Sequence, residues 1–600
     1  MRNKKLLPLS IGVIIIFFSC KKNTLDVSPI GLVDQSLIAN QKGVEGLLIA
    51  AYSMLDGFAL ENYSGGISNY FGSGSNWIYG SICGTEAYKG SYDGDQNVVI
   101  TTLETFTATS KNDALTSKWA AAYAGVQRSN EVLRLIAKAT DIDSADRRRI
   151  AAEARFLRGF FHFEAIKVFG NVPYVDESVT YAAGNYYLSN DTLIWPAIER
   201  DFRFAKDNLP GKMIAIGRVN KYSAEAFLAK ACLFQRKYAE AKPLLEDLIN
   251  NGVTAGGIPY GLRNLYADNF NPQTKNSEEA VFSVQVSVND GSGGWNGNIG
   301  DILNFPGAAD APGQCCGFFQ PSQYLVNHFK TDSEKGLPDL DHFNEADVKN
   351  DHGISSSDPF IAETGTLDPR LDWTVGRRGI PYLDWRLHPG NDWIREDSTY
   401  GPYSPIKNVY KKSQKGHFSD PNFWTAGSTA NNINLVRFAD ILLWAAEVEV
   451  EIGSPGQAEI YVNRIRNRMA DHHEGWVHSY LDDNNPEAGF YPDDAHLAAN
   501  YFIKPYPEGY FSSHGQDFAR KAVHYERMLE LAMEGHRFFD LVRWGIADIE
   551  INNYLQHEKR KYFVGVHFKN FNKIFPIPQM QIDLSAGPDG IKKLKQNPGY

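Results

Sequence analysis

Six hundred residues, 43% of them hydrophobic, suffice for a large core in one domain or several, and exclude a disordered or low-complexity chain. A formal net charge of −11 argues against nucleic acid, whose binding needs basic residues to neutralise phosphate, and suits neutral ligands better than polyanions. With 30 Tyr, 35 Phe and 11 Trp there are rings enough to fill a core and, where Trp or Tyr stays exposed, to form flat amphipathic platforms.

The chain opens with MRNKKLLPLSIGVIIIFFSC, a basic start at Arg2, Lys4 and Lys5 and an apolar run from Leu6 to Phe18. This reads as a secretory signal over residues 1–19, too short for a membrane span. Ser19-Cys20 has the form of a bacterial lipoprotein cleavage site, so Cys20 is the candidate lipidation site, whose acyl chains (palmitate among them) would anchor the protein to the membrane. Phe18 is bulkier than usual there, and the alternative is an ordinary signal with an incidental cysteine. Four cysteines remain. Cys232 falls in a helical run and reads as a small buried hydrophobe. Cys315 and Cys316 could form a disulfide with each other, or one could pair with Cys83; no ligand set for zinc sits nearby.

Beyond an aperiodic tether from Leu25 to Ile38, Gly43–Ala59 predicts the first amphipathic helix. Residues 60–112 are rich in Gly, Ser, Asn and aromatics, and so long a polar, glycine-punctuated segment usually serves binding. Ala114–Ala139 and Ala145–Gly170 predict an antiparallel helix pair, stopped by Gly170, Asn171 and Pro173. Lys221–Asn250, with small residues at the crossing and a tight turn near Lys237-Tyr238, has the look of a tetratricopeptide unit; such hairpins must stack to bury their faces. From 251 to 431 the chain is irregular, with a strand at Ala280–Val288, a short helix after Gly313, and a Trp- and Arg-dense stretch at Asp368–Asp397. It reads as a cap on the helical scaffold. Helices resume over Asn432–Ala470, hinged at Gly453 and Ser454-Pro455, and a polar insertion covers 471–514.

KAVHYERMLELAMEGHRFFDLVRWG (Lys521–Gly545) carries an apolar stripe and a neighbouring face of Arg527, Glu530, Glu534, Arg537, Asp540 and Arg543. Opposite charges at such spacings predict pairing along the helix, and Gly535 predicts an end or kink. The ladder reads as structural rather than as an acid–base pair.

ERMLELAMEGHRFFDLVRWG resembles the C-terminal signature of the SusD/RagB family, the outer-membrane glycan-binding lipoproteins of Bacteroidetes. VRFADILLWAAEVEVEIG with VNRIRNR, DPRLDWTVGRRG, FPIPQMQIDL and QNPGY resemble further family motifs in family order. The resemblance implies a mainly α fold, with tetratricopeptide-like hairpins over about 40–250 and 432–600, a loop-rich cap over about 251–431 and few short strands, all one domain from 20 to 600. It implies a lipid-anchored protein at the outer membrane, facing outward. Its implied partners are a glycan and a TonB-dependent, SusC-like transporter, with no nucleic acid. No catalytic residue, metal or cofactor is expected.

Binding a sugar ring without chemistry calls for an aromatic platform against its C–H face and polar groups on its hydroxyl rim. The candidate ligand residues are Asn76, Trp77, Tyr79, Tyr88, Tyr92 and Asp93 from the first loop segment, and Trp295, Asn296, Phe318 and Phe319 from the cap. The alternative is that these rings pack the loops onto the helices, with at least one of Trp77 and Trp295 expected to bind; Trp385 and Trp393 read as packing. A glycoside hydrolase would need two carboxyls at a defined separation, which sequence does not display, and no nucleophile elbow, Walker loop or zinc motif is present. His472 and His473 read as a solvated pair. Competing readings are a peptide binder and a protein-docking scaffold.

Overall fold

The computed structural model describes residues 35–57 and 69–600; the expected leader 1–19, Cys20 and residues 60–68 of the first loop segment lie outside the described residues. Helix α1, Gln41–Tyr52, starts where the Asn40 side chain accepts from the Gly43 N–H. Helices α2, Asp113–Ile136, and α3, Ser144–Phe169, are capped by Asn112 and Asp143, whose side chains each accept two backbone N–H groups. Gly170 (φ 68°) stops α3. Helix α4, Trp195–Asn208, begins on Pro196 and turns Ile198, Phe202 and Ala205 inward. Helices α5, Lys221–Phe234, and α6, Tyr238–Asn251, form the expected hairpin across three residues. Each helix from α2 to α6 packs on the next. Ala224, Ala226, Ala229 and Ala231 of α5 are wholly buried, and Phe227 reaches Phe156 and Phe160 of α3 with ring centroids 5.3 and 5.5 Å apart.

Strands are short. β1, Ala87–Gly90, and β3, Phe318–Pro321, pair antiparallel with Tyr88 opposite Gln320. β2, Ala280–Val284, pairs with β4, Ile433–Arg437. This corrects the expected helix start at Asn432: residues 433–437 complete a sheet with β2, and helix α7, Phe438–Ile452, begins only where the Arg437 N–H donates to Asp440 at 3.0 Å. Helix α8, Pro455–Asp471, follows; α9, Gln516–Leu531, packs on both α7 and α8. After the break at Gly535 come α10, Arg537–Trp544, and α11, Ala547–Glu558. One hydrophobic core runs from Val44 to Leu594, and a smaller cluster within the loop-rich region gathers Phe305, Tyr382, Trp393 and Tyr410. Among the described residues no helix is long and apolar enough to cross a membrane.

The charges of α9 and α10 do not pair mainly along the helix, as their spacing predicts; they reach other elements. Glu530, fully buried, accepts from Arg370 of the loop region at 3.1 Å, from Arg437 of β4 at 3.0 Å and from Arg468 of α8. Glu534 takes Arg437 at 2.8 Å and Lys407 at 2.8 Å. Arg527 grips Asp540 at 2.9 Å, and Arg543 grips Glu447 of α7. The side chains are too deeply enclosed to lie on a solvated helix face, so each finds its counter-ion across an interface. Burial opposes ionisation of Glu530, but Arg468, Arg437 and Arg370 overcome it and hold its carboxyl well below the usual range. Truncating one member of such a node leaves an unpaired buried charge, at a cost of about 3–5 kcal/mol.

Candidate functional site

The two loop segments expected to form a pocket do meet, but largely inside the protein. Trp77 is 1% exposed; its indole N–H donates to the Gly300 carbonyl at 3.0 Å, and its ring lies edge-on to Phe318 and Phe319, both buried, at 6.4 and 5.6 Å. Asn76 is spent on a buried ion pair, donating to Glu164 at 3.1 Å and accepting from Lys118 at 2.8 Å. Tyr79 donates to the Ala114 carbonyl at 2.9 Å. Tyr88, on β1, meets Glu558 and Arg560 in the interior. In this structure these six side chains, Asn76, Trp77, Tyr79, Tyr88, Phe318 and Phe319, are buried, Trp77 and Phe319 lining a small cavity beside Asp301 and Lys407. Backbone contact explains why the first segment sinks so deep. Gly80 and Gly535 touch: a Cβ on Gly80 would lie 1.8 Å from the Gly535 carbonyl oxygen, and one on Gly535 (φ 77°) would lie 1.8 Å from the Ser75 oxygen. The break between α9 and α10 thus seats the 75–82 turn.

Four candidates reach the surface, and they define two stations. At one, Tyr92 is 45% exposed beside exposed Asp93. The Arg395 guanidinium lies over its ring, 4.9 Å from the centroid, and donates to Ser91 Oγ and the Cys316 carbonyl, each at 3.1 Å. The stem of Arg395 runs in a groove that only glycines leave open: a Cβ on Gly307 would stand 2.3 Å from its Cγ, and one on Gly317 3.1 Å. The Asp93 N–H is held by Glu396 at 2.6 Å. At the other station Trp295 is 53% exposed, and Phe423 meets it edge-on at 5.0 Å. Trp424, 60% exposed, stands next to Phe423. Exposed Asn296 donates to Asp290 at 2.9 Å; this and the Ser287 and Ser292 contacts hold the Asp290 carboxyl well below the usual range.

Below the surface, hydrogen bonds and a stretch of chain link the stations. Thr425, next to Trp424, donates to the Gly313 carbonyl; two residues on, Cys315 and Cys316 are bonded to each other across a cis peptide, with Cys83 free and buried; and Cys316 leads to Arg395 and Tyr92. The exposed rings of the two stations form the strip: Tyr92 beside Asp93 and Arg395, and Trp295 and Trp424 beside Asn296, aromatic faces with polar groups at hand, which is what a sugar chain requires of a surface. Sequence reasoning overlooked Phe423, Trp424 and Arg395. PNFWTAG carries the signal that singled out Trp295, a large ring beside Gly and Pro in a loop; Arg395 had none, since its role depends on Gly307 and Gly317. Trp393 is buried, and Trp385 donates to the Tyr410 carbonyl at 2.9 Å, so both pack, as expected.

Among the described residues one group has metal-ligand spacing: Glu199, Cys232 and Glu240. The Lys237 ammonium already sits 2.5 Å from Glu199, and burial pushes the Cys232 thiol up to about 12, keeping it protonated. His472 and His473 pair separately with Glu474 and Asp494 at 2.9 and 2.7 Å.

The model of the SusD family matches residues 278–600, and one described as starch-binding, associating with the outer membrane, matches 59–233. SusD-like protein P25 of Formosa agariphila is 22% identical over 493 residues, which span 81% of this chain and 80% of that one. Among solved structures, a SusD superfamily protein from Bacteroides vulgatus superposes with a TM-score of 0.64 at 18% identity, covering 94% of this chain and all of its own. Surface glycan-binding protein A from Bacteroides thetaiotaomicron, solved with laminarihexaose, superposes at 0.60 with 19% identity, covering 93% of this chain and 99% of its own.

Proposed function

The chain belongs to the SusD/RagB family, and from that membership we propose that it is a non-catalytic, surface-exposed lipoprotein that captures an oligo- or polysaccharide on its loop face. It passes the glycan to a TonB-dependent, SusC-like transporter for import. Lipid on Cys20 tethers it to the outer membrane, the location its family description names. The observation that carries the reading is the set of three large rings left exposed in loops, Tyr92, Trp295 and Trp424, the last two both against Phe423 and Tyr92 under the Arg395 guanidinium. The exposed part of each ring, set against the C–H face of a sugar, would remove apolar surface from solvent on both partners. The glycan ligands of the relatives, laminarin and laminarihexaose, support the ligand class.

Affinity electrophoresis and calorimetry against laminarin, xylan, galactomannan and starch test it. Retardation by at least one without release of shorter products is expected, with Trp295→Ala/Trp424→Ala weakening it about tenfold or more, the loss of roughly 1.4 kcal/mol or above. Product formation would make the protein an enzyme, and undiminished binding by the double variant would remove the strip from the site. Pull-down from outer membranes should recover a large transporter; repeated failure to do so would sink the import role.

A further inference from the structure

We propose that Tyr181, Tyr186 and Tyr187 form a second platform for neutral polysaccharide, on the helical scaffold and separate from the loop-face strip. Helices α3 and α4 are neighbours, yet the chain between them runs from Gly170 to Ile194, far beyond the roughly 2–8 residues that helix–helix connections use; α5 and α6 need three. Both ends of the long connection are fastened. Tyr123 donates to the Pro173 carbonyl at 2.7 Å and Asn130 to that of Val175 at 2.9 Å, while Asn190 donates to the carbonyls of Asn171 and Lys595 at 3.0 and 2.9 Å. The tip is braced from within: Asn185 accepts from the Thr180 N–H at 2.9 Å and donates to the Ser178 carbonyl at 3.0 Å. A loop this firmly held presents its side chains in fixed places.

What it presents is aromatic. Tyr181 is 84% and Tyr186 39% exposed. Centroids of Tyr181 and Tyr186 are 4.8 Å apart and those of Tyr186 and Tyr187 4.3 Å, with the last two hydroxyls 3.0 Å apart. None of the three belongs to the hydrophobic core; they pack on one another, and only Ala182, Ala183, Gly184 and Asn185 stand between the first and the others in sequence. From Ser178 to Asn190 there is no Asp, Glu, Lys or Arg, in a chain with 22% charged residues. Clustered phenols in a segment whose own side chains carry hydroxyl and amide groups and no charge favour a neutral sugar chain over a protein surface, whose recognition draws on charged pairs for orientation. Two platforms on one molecule hold a long polymer by effective concentration as well as by contact.

This inference rests on the glycan-capture reading, and the experiment separates the two. Tyr181→Ala/Tyr186→Ala should lose about tenfold or more in affinity for whichever of laminarin, xylan or galactomannan retards the wild type, through lost avidity. Calorimetric affinity for a hexasaccharide such as laminarihexaose, short enough to occupy one station, should stay within about twofold. Tyr181→Phe/Tyr186→Phe, which keeps the rings, should bind as wild type. Unchanged retardation of the alanine double variant in every gel would overturn the platform and leave the strip standing. The converse, loss in this variant with none in Trp295→Ala/Trp424→Ala, would uphold the platform and remove the strip. Normal retardation together with lost co-purification of an outer-membrane protein would make the triad a protein contact and overturn the proposal. A wild type that no gel retards would overturn both readings.

Discussion

Trp77 and Trp295 are the same residue type in similar glycine-rich loops, and they do opposite things. Trp77→Ala should cost about 3–5 kcal/mol of stability through lost burial and a residual cavity, read from urea unfolding, whereas Trp295→Ala/Trp424→Ala should leave stability within about 0.5 kcal/mol per site and weaken glycan binding. Composition could not distinguish the two, because the groups that enclose Trp77, the Gly300 carbonyl and the rings of Phe318 and Phe319, lie 223 residues or more away in the chain. Asn76 illustrates the same limit: its amide looks available until Glu164 and Lys118 are brought to it. That trio makes a further prediction. Burial opposes the charge on Glu164, but Lys167 and Lys118 outweigh it and hold its pKa at about 2. A carboxyl whose folded pKa is depressed contributes stability that is complete above its unfolded value near 4.5 and is lost as pH falls toward 2, about 3 kcal/mol in all. Urea midpoints of Glu164→Gln should therefore change less between pH 5 and pH 2.5 than those of the wild type; parallel profiles would show that the pair does not act this way.

At the scale of elements, the joint between α9 and α10 should tolerate almost nothing. Gly535→Ala places a methyl into the Ser75 carbonyl at a backbone angle that L side chains avoid, and a loss of about 3 kcal/mol or more is expected. The control is Gly509→Ala, at nearly the same angle (φ 76°) but with open space where the methyl would go. The fall in denaturation midpoint should be clearly larger at 535 than at 509; equal falls would leave backbone strain as the whole effect and the close contact irrelevant. Most of the scaffold was legible, because 3.6-residue periodicity and breakers are local: Gly170, Gly453 and Pro455 mark real ends, whereas the Asn112 and Asp143 caps went unread. Helix α4 carries the same signals, Pro at its start and apolar residues at 198, 202 and 205, but stands between two stronger pairs that mask it. β4 is hidden for a different reason. Its identity depends on β2, about 150 residues earlier in the chain, and a five-residue apolar run next to a helix gives no local cue to a distant partner.

At the scale of the whole molecule, what ties the ends together is distance in sequence. Tyr88 meets Glu558 across 470 positions, Ser81 meets Gly535 across 454, and Asn190 meets Lys595 across 405. The apposition of Gly80 and Gly535 therefore sets an order of events. Helical hairpins close over a few residues and form early, whereas the 75–82 turn has nowhere to settle until residue 535 is in position, and contacts this remote in sequence are slow to find. On dilution from urea, ellipticity at 222 nm should recover before retention on a glycan column does; simultaneous recovery would mean that the loops organise themselves. A chain caught halfway would be helical, compact and unable to hold sugar, so the appearance of glycan affinity is a clock for the completion of folding.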